Sequence, residues 1–263
     1  MKLHLGNLVI KYNDNPLLGP IDASFESGQL NLIVGRSGCG KSTLLKLIAG
    51  FHSEFTGAIS LDEDYFDPEG NVALAFQNPE SLFFNSTVFE EILFSLTALD
   101  KKDNISELTN HWMEKWGLNP EIYAKKYPFK LSGGEKRRVA LAACTILQPK
   151  IILLDEPLAG LDRVGQSDLS KIITNLSNEH IVIVVTHEPE LILQNNSRIL
   201  YLNGKETAEY DSNTFLYNAV INPDFYPIPQ WYIDSVKPYA EKYELPPVNS
   251  ESVANFLRSI KYE

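Results

Sequence analysis

Three short stretches of this chain have residue types and spacings suited to chemistry. The first is Gly35-Arg36-Ser37-Gly38-Cys39-Gly40-Lys41-Ser42, with Thr43 next, and it fits G-x-x-x-x-G-K-[ST] in full. Its glycines let successive backbone N–H groups converge on phosphate oxygens without side-chain clash. A helix starting at Ser42 adds its positive N-terminal end. Lys41 is a point charge for the β and γ phosphates, and Ser42 offers a hydroxyl to Mg²⁺.

The second is Ile151-Ile152-Leu153-Leu154-Asp155-Glu156. An apolar strand here delivers two adjacent carboxylates to the C-terminal edge of a sheet, where open α/β sheets bind ligands. Neighbours on a strand end point in different directions. Asp155 can then serve Mg²⁺ and its waters, while Glu156 faces an attacking water as general base or water-orienting group. The third is Leu131-Ser132-Gly133-Gly134-Glu135. Ser132 and Glu135 have the S-x-x-E spacing of a helix capping box. The two glycines cost helix stability and are not explained by capping; they suggest close backbone approach to an anion.

The elements that must position these residues are legible in outline. Leu3–Tyr12 alternates apolar and polar residues as a half-exposed strand does. A turn is expected at Asn13–Pro16, and strands at Ile21–Phe25, Leu30–Val34, Ala58–Leu61 and Val72–Phe76. Ser42–Ala49 has helical spacing and stops at Gly50, so the glycine loop lies between strand and helix. The stretch 85–127 is helical in character, with Trp112, Met113 and Trp116 among charged residues. Helices follow at Ser132–Leu147 and Val164–Leu176, and buried strands at Ile151–Leu154 and Ile181–Thr186. Strands alternating with helices imply a parallel sheet covered on both faces. Asn203-Gly204 between Arg198–Leu202 and Glu206–Tyr210 predicts a hairpin. Prolines crowd the chain after residue 222, so a linker is expected at 211–225 and a further helix at Ser252–Ile260.

Bulk properties narrow the class. The chain has 263 residues, 44% of them hydrophobic, enough for a sizeable core. A net charge of -11 leaves no basic excess for nucleic-acid phosphates, so no nucleic-acid partner is expected. The cluster Lys136, Arg137, Arg138 reads as a solvated helix face. Cys39 and Cys144 have no metal-ligand spacing and are expected to be free thiols. No apolar run approaches the ~20 residues needed to cross a bilayer.

The order glycine loop, Gln77, Leu131–Glu135, Asp155-Glu156, His187 resembles the ATP-binding cassette (ABC) ATPase family, over about residues 1–210. The resemblance implies an α/β P-loop NTPase of ABC type. Its expected parts are a mixed-sheet core with N-terminal antiparallel strands, an inserted helical subdomain at about 85–133, and a small C-terminal helical extension. The ATPase domain would span 1–212, and the extension, 213–263, would help two ATPases pair. It further implies ATP and Mg²⁺ as ligands, and a nucleotide sandwich in which Ser132, Gly133, Gly134 and Glu135 meet the γ phosphate held by a second ATPase subunit. Glu135 stands where the commonest family signature has Gln. Tyr12 matches the aromatic residue that stacks on adenine, Gln77 the glutamine that meets Mg²⁺ and the attacking water, Asp162 the polar anchor of the interface loop, and His187 the switch histidine.

A narrower resemblance runs through Phe76-Gln77-Asn78-Pro79-Glu80, Leu131–Ala140 and the tail residues Ile228-Pro229-Gln230 and Leu245-Pro246-Pro247. These look like the ATPase subunits of energy-coupling factor transporters, which import vitamins and cobalt or nickel ions. That implies a transmembrane coupling protein and a substrate-binding membrane subunit as partners. It also implies a peripheral position on the cytoplasmic face of the cell membrane. Two other readings remain: the ATPase of a conventional ABC transporter, and a soluble ABC protein acting on nucleic acid or the ribosome.

Overall fold

A computed structural model describes residues 1–234, except 98–103, 195, 205, 223, 224, 227 and 231. The helix expected at Ser252–Ile260 lies outside the described residues. Two sheets carry the fold. The first is antiparallel, with spatial order β2-β1-β4-β5, built from β1 (Lys2–Tyr12), β2 (Asn15–Glu26), β4 (Phe55–Leu61) and β5 (Asp64–Tyr65). The second contains β3 (Asn31–Gly35), β6 (Val72–Ala75), β7 (Ile151–Asp155), β8 (Ile181–Val185), β9 (Arg198–Asn203) and β10 (Glu206–Asp211). Its order is β10-β9-β3-β8-β7-β6, parallel throughout except for the β9–β10 hairpin. The sheet is therefore mixed. Its antiparallel edge is the hairpin that Asn203-Gly204 predicts.

Between their end residues Asn31 and Asp155 the central strands are apolar, because both faces are covered. Leu32, Val34, Ile152, Leu154, Val182 and Val184 point into one core, and Ile33, Ile151, Leu153, Ile183 and Val185 into the other. This is strand alternation with both sides buried. The second core is closed by the antiparallel sheet and by α1 (Lys41–Ile48). The first is closed by α2 (Val88–Thr97), α3 (Ile105–Lys115), α5 (Gly133–Thr145), α6 (Arg163–Leu176) and α7 (Ser212–Ile221). A short α4 (Pro120–Tyr123) sits between α3 and α5.

Two expectations change. The stretch 211–225, expected as a linker, contains α7, capped by Asp211, whose carboxylate accepts from the Thr214 amide at 2.9 Å. Phe215, Leu216, Ala219 and Val220 on it are buried in the first core, and so are Tyr226 and Tyr232 beyond it. The basic cluster is not a solvated face throughout: Arg137 is 2% exposed.

The tryptophans of the helical stretch anchor it to α5. Trp112 Nε1 and Trp116 Nε1 both donate to the Thr145 hydroxyl, at 2.7 and 2.9 Å, and that hydroxyl donates to the Leu141 carbonyl. One buried hydroxyl thus joins α3 to the helix that begins at Ser132.

Candidate active site

The C-terminal ends of the parallel strands meet at one cavity of about 590 Å³. β3 delivers Ser37–Thr43, β7 delivers Asp155 and Glu156, β8 leads to His187, and β6 leads to Gln77; all of these residues line it. Glycine is required where the loop turns. A Cβ at Gly35 would stand 2.2 Å from the Leu202 carbonyl, and Gly40, at φ +101°, caps α1. Lys41 is buried and its Nζ donates to the Gly35 and Arg36 carbonyls at 2.9 and 3.1 Å, which holds it inside the loop.

Glu156 occupies a left-handed conformation, φ 50°, at the end of β7. Its Oε2 accepts from the His187 amide at 3.3 Å, and its Oε1 lies 3.4 Å from His187 Nε2. That Oε1 is buried without a hydrogen-bond donor. Burial pushes the Glu156 carboxyl above the ordinary carboxylate range, and neighbouring Asp155 adds to this, against the opposing His187 amide and Lys41 charge. Burial, followed by the Lys41 charge, pushes the His187 imidazole down. The pair is thus a strengthened base beside a neutral imidazole.

Ser132, Gly133, Gly134, Glu135 and Asp162 line a separate cavity of about 340 Å³, together with Gly160 and Gly165. The capping box forms: Ser132 Oγ accepts from the Glu135 amide, and Glu135 Oε2 accepts from the Ser132 amide at 2.8 Å. The other carboxylate oxygen of Glu135 accepts from the Tyr123 hydroxyl at 2.8 Å. Both oxygens act as acceptors, which suits a carboxylate at this position. Asp162 caps α6 through the Gly165 amide at 2.8 Å. A Cβ at Gly133 would meet nothing within 4 Å, so no packing inside this chain calls for glycine there.

The structure therefore brings Ser37–Thr43, Gln77, Asp155, Glu156 and His187 together and leaves Ser132–Glu135 and Asp162 on a second surface. Tyr12, at the end of β1 and 64% exposed, lines neither cavity, and Gly35 and Arg36 are not among the residues that line the first. Sequence reasoning missed Glu188 on the cavity wall, and it had placed Ala159, which also lines it, in the interface loop with Asp162. It also missed Arg137, whose Nη1 donates to the Pro157 carbonyl at 3.3 Å and, more weakly, to that of Glu156 at 3.5 Å. Arg137 Nη2 donates to Glu80 Oε1 at 3.2 Å, and Nε makes a charge contact with Oε2 at 2.9 Å without hydrogen-bond alignment. The only sequence signal was a basic run, which looks the same whether it is solvated or folded inward.

The residues fit a nucleotide with Mg²⁺. The glycine loop with Lys41 and the residues Ser42, Gln77 and Asp155 all line this one cavity, an arrangement that suits an anion with a hard cation beside it. Among the described residues no group of three His, Cys, Asp or Glu side chains makes a metal site. A cation here therefore needs ligands from phosphate and water as well, as Mg²⁺ ordinarily has.

Comparison with known proteins decides the family. The model named "ABC transporter" matches residues 18–159. The chain belongs to the ABC transporter family. It is an ATPase of that family, and the energy-coupling factor transporter ATP-binding protein EcfA2 of Thermotoga maritima is 36% identical to it over 194 residues, covering 72% of this chain and 73% of that one. EcfA1 of the same organism is 36% identical over 198 residues, covering 73% and 75%. Among solved structures, cbiO1 of Clostridium perfringens, described as part of the ABC transporter complex cbiONQ, aligns with a TM-score of 0.71 at 24% identity, covering 84% of this ABC ATPase and 96% of that chain. It shares the fold described above, mixed sheet and antiparallel N-terminal sheet included.

Proposed function

We propose that this ABC ATPase powers import by an energy-coupling factor type transporter for a vitamin or metal ion. Two such ATPase subunits would close around two ATP molecules. The observation that carries the membrane-coupling part is the continuity of the loop after β6. Gln77 lines the nucleotide cavity, and the next residues, Asn78 and Pro79, line an apolar groove of about 440 Å³. Phe76, Leu82, Phe84 and Phe94 stand exposed along that groove, from 46% to 72%. We assign the groove to a cytoplasmic helix of the transmembrane partner, since no described helix of this chain is long and apolar enough to cross a membrane itself. The names of the relatives favour the same partner class.

Pairing with a second ATPase is supported by the split between the two surfaces. Ser132–Gly134 stand at the N-terminus of α5, away from Lys41, on a face where nothing inside the chain requires Gly133. A phosphate held by a facing subunit would meet that helix end.

In this reading Lys41, the loop amides and Thr43 bind and orient the triphosphate, and Ser42, Gln77 and Asp155 would hold Mg²⁺. The metal, when bound, supplies charge to the β and γ phosphates. Glu156 takes the proton of the attacking water, or orients it, with its pKa raised toward that task. Neutral His187 donates at the γ phosphate and holds Glu156 in place. Tyr12 stacks on adenine from its exposed strand end. ATP binds the closed pair more tightly than the open one, and only that difference can move the membrane partner.

The test is purification from detergent-solubilised membranes through a tag on this chain. A hydrophobic partner should co-purify, and Leu82→Asp with Phe84→Asp should release it while ATP binding persists. Recovery of ribosomes or nucleic acid in place of a membrane protein would refute the proposal.

A further inference from the structure

The segment beyond α7 reaches back to the switch loop through one hydrogen bond. The Tyr226 hydroxyl donates to the His187 carbonyl at 3.1 Å, and Tyr226 is 2% exposed. Its ring is wedged against Phe215 at 5.3 Å and, edge-on, Tyr201 at 6.0 Å. The Tyr201 hydroxyl in turn donates to the Phe225 carbonyl, so the backbone entering Tyr226 is pinned to β9. Tyr226 is thus held from two sides, by its ring contacts and by the bond from Tyr201 to the carbonyl before it.

The other side of His187 is already occupied. Its amide donates to Glu156 Oε2. Among the described residues the loop from Thr186 to Leu191 meets a strand at Thr186, whose amide donates to the Ile33 carbonyl at 3.3 Å, and bonds within itself through the Glu188 amide to the Thr186 hydroxyl and the Leu191 amide to the Glu188 carbonyl. The His187 carbonyl is met by Tyr226, and the amide by the carboxylate. The backbone that aims the imidazole is thus held between Glu156 and the segment after α7.

We propose that Tyr226 is a positioning residue for hydrolysis, holding the switch-loop backbone so that the His187 ring and the Glu156 carboxylate keep their registration. It acts through His187. This rests on the assignment of Glu156 and His187 given above. It gives the segment after α7 a direct hold on its own subunit's nucleotide cavity, in addition to any part it takes in pairing. Burial, with the Glu190 charge next, drives the Tyr226 phenol well above its ordinary pKa, so the hydroxyl stays a donor at any pH the ATPase works at.

The test uses the full chain in the ATPase assembly recovered through a tag on it. Tyr226→Phe removes the hydroxyl and keeps the ring. Its kcat should fall about fivefold, the worth of one hydrogen bond, while the KM for ATP and the number of ATP sites stay within about twofold. Tyr210→Phe, in the same aromatic cluster but away from His187, should turn over as the parent does. In a His187→Ala background, Tyr226→Phe should add no further loss. A parental kcat for Tyr226→Phe overturns the proposal, and so does a loss of turnover matched by an equal loss of ATP sites. His187→Ala with parental turnover would instead overturn the underlying assignment, so the two failures are distinguishable.

Discussion

Glu156 and His187 touch twice, once through the backbone and once through the side chain. The amide of His187 meets Oε2 at 3.3 Å, and its Nε2 lies 3.4 Å from Oε1. Glu156 directly follows β7 and His187 lies two residues past β8, and these strands are hydrogen-bonded neighbours that pair Asp155 with Val185. Parallel register therefore aligns residues 31 positions apart to within a contact. Oε2 is taken by the His187 amide, while Oε1 lies beside the imidazole without a hydrogen-bond donor. A water arriving there could donate to a desolvated carboxylate oxygen.

Glu156→Gln should keep ATP binding and lower turnover by about 10²–10⁴-fold, the range for losing a general base. It should also trap a closed pair of ATPases in Mg-ATP. Phosphate release and gel filtration in ATP check both. Near-parental turnover would remove Glu156 from the role.

Turnover should fall on acidification earlier than an ordinary carboxylate would allow. The base must be ionised, and burial raises the Glu156 pKa, so the acid limb of kcat should have its midpoint above the ordinary carboxylate value of 4.5. The check is a kcat profile at constant ionic strength. A midpoint at or below that value counts against a buried carboxylate base.

Glu190 carries a separate pH dependence, in stability. It is 2% exposed, its Oε2 has no hydrogen-bond partner, and burial raises its pKa from 4.5 to about 7. A carboxyl raised in the folded state contributes stability fully below its unfolded pKa and loses it as pH rises through about 7. Glu190→Gln should thus gain thermal stability over the parent between pH 5 and pH 8, by at most roughly 3 kcal/mol. Melting curves at the two pH values measure it, and a pH-independent difference would show that the carboxyl is not buried as described.

Arg137→Met should destabilise the chain by about 3–5 kcal/mol, because it strands the Glu80 carboxylate and leaves the Pro157 carbonyl without its donor. Glu80→Gln keeps an acceptor for Arg137 and should cost less. Denaturant unfolding of the two variants ranks them, and equal costs would mean that the charge pair is not the origin.

Thr145→Val should cost about 2–4 kcal/mol. It removes the acceptor shared by two buried indole N–H groups while keeping the side-chain volume. Trp fluorescence should shift as α3 loosens on α5, and an unchanged melting temperature would contradict the shared bond.

The outline of the nucleotide cavity was legible in sequence because it depends on local grammar. A glycine loop between an apolar strand and a helix, two carboxylates after Leu154, and a histidine after Val185 each announce themselves within about ten residues. The hairpin at Asn203-Gly204 and the capping box at Ser132 are equally local, and both form. What depends on long-range packing was not legible. Whether Arg137 faces water or Glu80 is settled by how α5 sits against the loop after β6, 57 residues away. Prolines suggested a linker at 211–225, yet Phe215, Leu216 and Val220 form a helix because the first core has room for them. Tyr226 resembles any tail tyrosine until β9 and the switch loop come together around it. The sequence by itself determined which chemistry this protein performs, since that chemistry needs particular atoms at short spacings. Tertiary structure alone decided which buried groups hold those atoms still, because burial and hydrogen-bond partnership arise between distant segments.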